Sequence, residues 1–215
     1  MGLFSRAKNT EDVEVNAQVE EVTSTDAPES THAPESHRNS GPFDISEYGG
    51  VDDLIDAGAL KIPAVSGATL QFTTDPTQEH VLGVVYMKDD SVLQLQVFAA
   101  PKTRGLWDEI RLDMRTSIAA QGGSSQEIDS PLGKGLLAQM PVANSKEFAP
   151  HLFLGVDGPR WFMRVTLYGR AGFDSNAAVQ MLSILEDVVV ERGAEPHPPR
   201  ELLTLKIPHL DRHGE

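Results

Sequence analysis

The sequence predicts an α+β fold: a mainly antiparallel sheet with two helices packed on it, preceded by a disordered N-terminal tail. Three observations carry this. The first 42 residues hold eight acids, three bases and a single aromatic, Phe4. Such a segment cannot bury enough apolar surface to offset the entropy of ordering it. Beyond it, short apolar runs alternate with turn residues. Two longer stretches instead space their apolar residues three and four apart, as a helix does. The expected organisation is a tail over 1–42, one α+β domain over 43–208 and a frayed C-terminus over 209–215.

The elements follow in chain order. Glu47 to Ile62 reads as an irregular or briefly helical lead-in that stops at Pro63. Leu70 to Thr74 and His80 to Met87 are rich in β-formers, and Lys88-Asp89-Asp90 is a turn. From Val92 to Ala99, Leu93, Leu95 and Val97 share one face while Gln94 and Gln96 share the other, the period of a half-buried strand. Leu106, Trp107, Ile110, Met114 and Ile118 describe a helix over about 105–121, closed by Gly122-Gly123, with Thr103 as its cap. Gln126 to Ser130 and Leu136 to Val142 are strands flanking Pro131 to Gly135. Leu152 to Val156 and Arg160 to Tyr168 form a hairpin around Asp157-Gly158-Pro159, with Trp161, Met163, Val165 and Leu167 on its core face. A second helix spans about 176–191, capped by Asp174 or Ser175, with Ala178, Leu182, Leu185 and Val189 as its stripe. Glu195 to Pro208 is proline-rich and expected to lie extended on the surface.

Composition narrows the function classes. The 215 residues carry a formal net charge of −14 and no cysteine. A chain this acidic repels phosphate backbones and anionic lipids, so neither a nucleic-acid nor a membrane partner is expected. Without cysteine there are no disulfides, thiolate zinc sites or cysteine nucleophiles. The N-terminal residues hold no apolar stretch of the signal-peptide kind, and no run approaches the length of a spanning helix, so a cytoplasmic location is expected.

The chemical motifs are sparse. Asp157-Gly158-Pro159-Arg160-Trp161 reads first as a turn, and second as a rim where the donors of Arg160 beside the aromatic Trp161 hold an anion or a partner. Lys102-Thr103-Arg104-Gly105 puts two bases before a helix start, where free N–H groups favour anions, but the glycines of a phosphate loop are missing. Gly133-Lys134-Gly135 lacks the spacing of a nucleotide-binding loop. His209 and His213 are four apart but follow Pro208 near the end of the chain, which favours a frayed tail over a metal site. No catalytic residue, metal site or cofactor is expected. The candidate ligand- or partner-binding residues are Arg160, Asp157, Arg200, Lys102 and Arg104.

Several phrases stand together in one chain. They include Gly58-Ala59-Leu60-Lys61-Ile62-Pro63, Leu95-Gln96-Val97-Phe98-Ala99-Ala100-Pro101, Gly105-Leu106-Trp107-Asp108-Glu109-Ile110-Arg111, Gly155 to Phe162, Val188 to Gly193 and Pro199-Arg200-Glu201-Leu202-Leu203. With them the chain resembles the actinobacterial domain-of-unknown-function family DUF3710 over nearly all of 41–208. The resemblance implies a cytosolic protein with no established activity. Genes of the family often lie near a dUTPase gene, which implies a link to nucleotide metabolism. Two functions follow as expectations. The first is a non-catalytic interaction or regulatory module with an unknown protein partner. The second is a small anionic-ligand-binding protein or enzyme using Arg160, Arg200 and the loop from Lys102 to Arg104.

Overall fold

The computed structural model describes residues 41–103 and 105–208. The chain divides into two units, 1–31 and 32–215, and the described residues all belong to the second. The expected disordered tail, apart from Gly41 and Pro42, the frayed residues 209–215 and Arg104 lie outside the described residues.

Two strands open the fold's smaller sheet early, β1 (Phe43–Asp44) and β2 (Ile55–Asp56), followed by β3 (Leu60–Ile62). The larger sheet begins with β4 (Thr69–Thr74), β5 (Val81–Lys88) and β6 (Ser91–Ala99). Helix α1 (Trp107–Ala120) comes next. The sheet resumes with β7 (Ser124–Ser130), β8 (Gly133–Pro141), β9 (Phe148–Gly158) and β10 (Trp161–Gly169). Helix α2 (Ser175–Leu182) runs into a 3-10 turn over Ser183–Asp187, and β11 (Val189–Val190) returns to the small sheet. The seven-stranded sheet has the order β4-β5-β6-β10-β9-β8-β7, antiparallel throughout. The four-stranded sheet has the order β1-β11-β3-β2, with β1 parallel to β11. Among the described residues, no helix is long and apolar enough to cross a membrane.

The large sheet is covered on both faces, because its central strands are apolar along one face and carry Phe98, Phe153 and Phe162 on the other. On one face Leu93, Leu95, Val97, Trp161, Met163, Val165 and Leu167 join Met181, Leu185, Val188 and Val190 in the main core, beneath α2 and the small sheet. On the other face Phe162 and Phe153 meet Trp107 and Ile110, so α1 packs there. The two helices thus lie on opposite faces of one sheet.

Four sequence expectations are corrected. The Glu47–Ile62 lead-in contains β2 and β3, whose pairing buries Leu60 and Ile62 completely. The second helix stops at Leu182, nine residues before its expected end at Glu191. Val188, Val189 and Val190 are fully buried in and beside β11, where β-branched side chains lose less rotamer freedom than in a helix. Thr103 is not the cap of α1, because the cap position is Leu106. The C-terminal stretch is extended but not merely superficial. Leu203 and Leu205 are buried, and Leu203 and Arg200 donate their backbone N–H groups to Val97 and Ala99 of β6. The ladder between β5 and β6 ends at the Val84–Leu95 pair, and the returning chain pairs with the stretch of β6 beyond it.

The β9–β10 turn is also shifted from its expected place. Gly158 pairs with Trp161, so Asp157 and Gly158 belong to β9 and the loop is Pro159-Arg160. Arg160 has φ +62, which after proline gives the sign pattern of a type II turn. It is a turn residue, not the first residue of a strand.

Candidate functional site

The site is built by how α1 sits on the sheet. Alternate residues of β9 face α1, and they are Phe153, Gly155 and Asp157. Gly155 makes room for the Trp107 ring, since a Cβ there would fall inside it. That ring stacks on Phe162 at 5.9 Å, and its Nε1–H donates to the Lys134 carbonyl at 2.5 Å. Asp157 accepts the N–H groups of Leu106 at 2.6 Å and Trp107 at 3.3 Å, satisfying donors that every helix start leaves open. One turn on, Arg111 is nearly buried between Asp108 at 2.7 Å and Glu127 at 2.8 Å. The first half of α1 is therefore fixed to the sheet.

Its second half overhangs a groove of about 470 Å³. Met114, Ser117, Ile118 and Gln121 of α1 form the wall. The floor comes from β6, β8, β9 and β10: Gln94, Met140, His151, Phe153, Arg164, Thr166 and Tyr168. The floor positions follow from register. Arg164 lies opposite Gln96 on β6, and Thr166 opposite Gln94.

Arg164 is the chemical centre of the groove. Its Nε donates to Gln96 Oε1 at 3.2 Å, and its Nη2 donates to the same oxygen. Gln96 is held in turn, because its Nε2 donates to the Leu82 carbonyl at 3.0 Å. The guanidinium lies over the Phe98 ring at 5.6 Å. Burial lowers the Arg164 pKa below its ordinary value. Among the described residues no carboxylate pairs with it. Among the described residues this half-buried charge is held by a neutral amide and a ring, which compensate it poorly.

The far end of the groove is aromatic. The His151 ring stacks between Phe153 at 5.9 Å and Tyr168 at 5.2 Å. His151 Nδ1 lies 3.1 Å from the Ala149 carbonyl, which only accepts, so Nδ1 carries a proton. Burial pushes the Tyr168 hydroxyl up in pKa, so that it stays a neutral donor and acceptor.

The residues singled out from sequence lie elsewhere. Asp157 caps α1. The Arg160 carbonyl accepts the Ala100 N–H at 2.9 Å and Arg192 Nε at 3.2 Å. Burial and the nearby Arg160 charge lower the Arg192 pKa. Arg200 is engaged by Glu109 at 2.6 Å and Asp113 at 3.0 Å. Lys102 sits on an exposed loop. Backbone bonds through Ala99 and Ala100 bring Arg160 and Arg200 to the same end of the sheet as Lys102, but none of the three lines the groove. Among the described residues, no group of three His, Asp or Glu side chains could hold a metal ion.

Arg164 is not among the residues that the sequence singles out. The available signal was one cation on the polar face of an otherwise apolar strand, matched by Gln94 and Gln96 on the polar face of another.

No curated protein matches the chain. Among solved structures, cyanobacterial PsbP (CyanoP) from Synechocystis is similar at 12% identity with a TM-score of 0.38, covering 67% of this chain and 97% of that one. A likeness so slight carries no argument. The profile of the family described as "Protein of unknown function (DUF3710)" matches residues 41–213, and the chain belongs to that family.

Proposed function

We propose that the domain is a small-molecule-binding module that takes an anionic ligand in the groove between α1 and the large sheet, with Arg164 as the anion's partner. One observation carries this. Arg164 is desolvated and oriented, yet it spends only Nε and one Nη2 hydrogen on Gln96. A guanidinium has five N–H donors, so its outer Nη1/Nη2 edge keeps a pair for a carboxylate or phosphate. The groove is of ligand-site size, and its lining sets polar side chains among Met114, Ile118, Met140 and Phe153. This favours the ligand-binding expectation over the protein-interaction module, and moves its site from Arg160 and Arg200 to Arg164.

The test is a thermal-shift screen of the full chain against small carboxylates and phosphates, run beside Arg164→Gln. At least one anion should raise the Tm of the native chain and leave the variant unmoved. Equal shifts in both proteins would place the anion elsewhere.

A further inference from the structure

The groove holds more open hydrogen-bonding capacity than an anion alone would use. The Gln94 amide, the Thr166 hydroxyl and the Tyr168 hydroxyl have no protein partner among the described residues. No side-chain polar atom there is both fully buried and unpaired, so these groups reach the groove. His151 spends Nδ1 on Ala149, which leaves Nε2 as the remaining nitrogen of its ring and, in the neutral form, a pure acceptor. The amide offers donors and an acceptor, and each hydroxyl offers both. Arg164, Thr166 and Tyr168 are alternate residues of β10, so the row runs roughly 13 Å from first to last. Gln94 stands beside Thr166 on the next strand.

A ligand matching this row carries an anion at one end and groups that both donate and accept along its body. Hydroxyls do so, whereas alkyl chains do not. Resting on the anion-binding reading above, we infer that the groove takes a polyhydroxylated anion of the sugar-acid or sugar-phosphate class. The acidic group lies end-on at Arg164. The hydroxyls lie on Gln94, Thr166 and Tyr168, and the last donates to His151. Met114 and Ile118 of the wall and Met140 of the floor offer apolar contact to the carbon skeleton. A purely apolar acid would leave the row of polar groups dehydrated and unpaired, which disfavours it.

Isothermal titration of the full chain with gluconate, glucose 6-phosphate, hexanoate and glucose tests this. Gluconate or glucose 6-phosphate should bind at least tenfold more tightly than hexanoate or glucose. Gln94→Leu and Tyr168→Phe, each checked for an unchanged Tm, should narrow that preference, and Arg164→Gln should abolish binding. If hexanoate binds as well as gluconate and both are lost in Arg164→Gln, the polyhydroxylated class is wrong while the anion reading stands. If neither anion class binds, both fail.

Discussion

The carboxylate of Asp157 accepts the backbone N–H of Leu106 at 2.6 Å, across 51 residues of chain. Helix α1 is thus capped by the end of β9 rather than by its own preceding loop, and its start is tied to the sheet that forms the groove floor. Asp157→Ala should cost about 1–2 kcal/mol, the usual worth of a helix cap. Asp157→Asn should cost less, because it keeps one acceptor oxygen for the Leu106 N–H while losing the longer bond from the Trp107 N–H and the charge facing the helix dipole. Urea denaturation of both variants measures this. Equal losses would mean that the bond to the Leu106 N–H contributes little, and that the charge and the second carboxylate oxygen are what matter at 157.

Gly155 and Trp107 are coupled by shape. A Cβ at 155 falls inside the Trp107 ring, so Gly155→Ala should cost about 1–3 kcal/mol through overpacking. Trp107→Ala should cost roughly 3–5 kcal/mol, since the ring is buried. The double variant should cost clearly less than the sum, because the ring that the new methyl strikes is gone. Additive losses in a double-mutant cycle would mean that α1 has shifted rather than clashed.

Much of this fold was legible in the sequence where a period was clean. The alternation of Leu93, Leu95 and Val97 against Gln94 and Gln96 gave β6 its faces, and the stripe from Trp107 to Ile118 gave α1. The failures share a physical cause, which is pairing over long distances in the chain. Val188 to Val190 continue the apolar pattern of α2 but are claimed by Phe43–Asp44 and Leu60–Lys61, partners with no local signature. Asp157 carries turn chemistry by composition, yet its use is set by a helix start far upstream. The groove was hidden for the same reason. Arg164, Gln94 and His151 lie on three strands, and only register brings them together.

Acid should weaken the junction of the small sheet with the C-terminal stretch. Lys206 at 2.6 Å and Lys61 at 2.8 Å hold the Asp56 carboxyl well below the usual carboxylate range. A depressed folded-state pKa stabilises above the unfolded value, near pH 4, and that contribution is lost as pH falls below it. The group is half exposed, so solvent screening limits the effect to less than about 1 kcal/mol. Asp56→Asn should therefore be slightly less stable than the native chain at pH 7 and lose less on going to pH 2. A native-like acid limb in that variant would contradict the assignment.

Arg164 should be costly to stability if the groove is a binding site. Its charge is desolvated and has no carboxylate partner among the described residues, so Arg164→Met should be as stable as the native chain or more so, by up to about 1–2 kcal/mol. Thermal unfolding measures this. A loss of about 2 kcal/mol or more would make Arg164 a structural element of the sheet face instead.

In the proposed complex Arg164, and not the arginines near the β9–β10 turn, meets the ligand's anion. The guanidinium Nε–H signals of the full chain, assigned by single Arg→Lys substitutions and followed by NMR during titration with glucose 6-phosphate, test it directly. The Arg164 signal should shift in a saturable way while those of Arg160 and Arg200 stay within the drift seen with added chloride. A saturable shift at Arg160 with Arg164 unmoved would contradict the account and return the site to the turn.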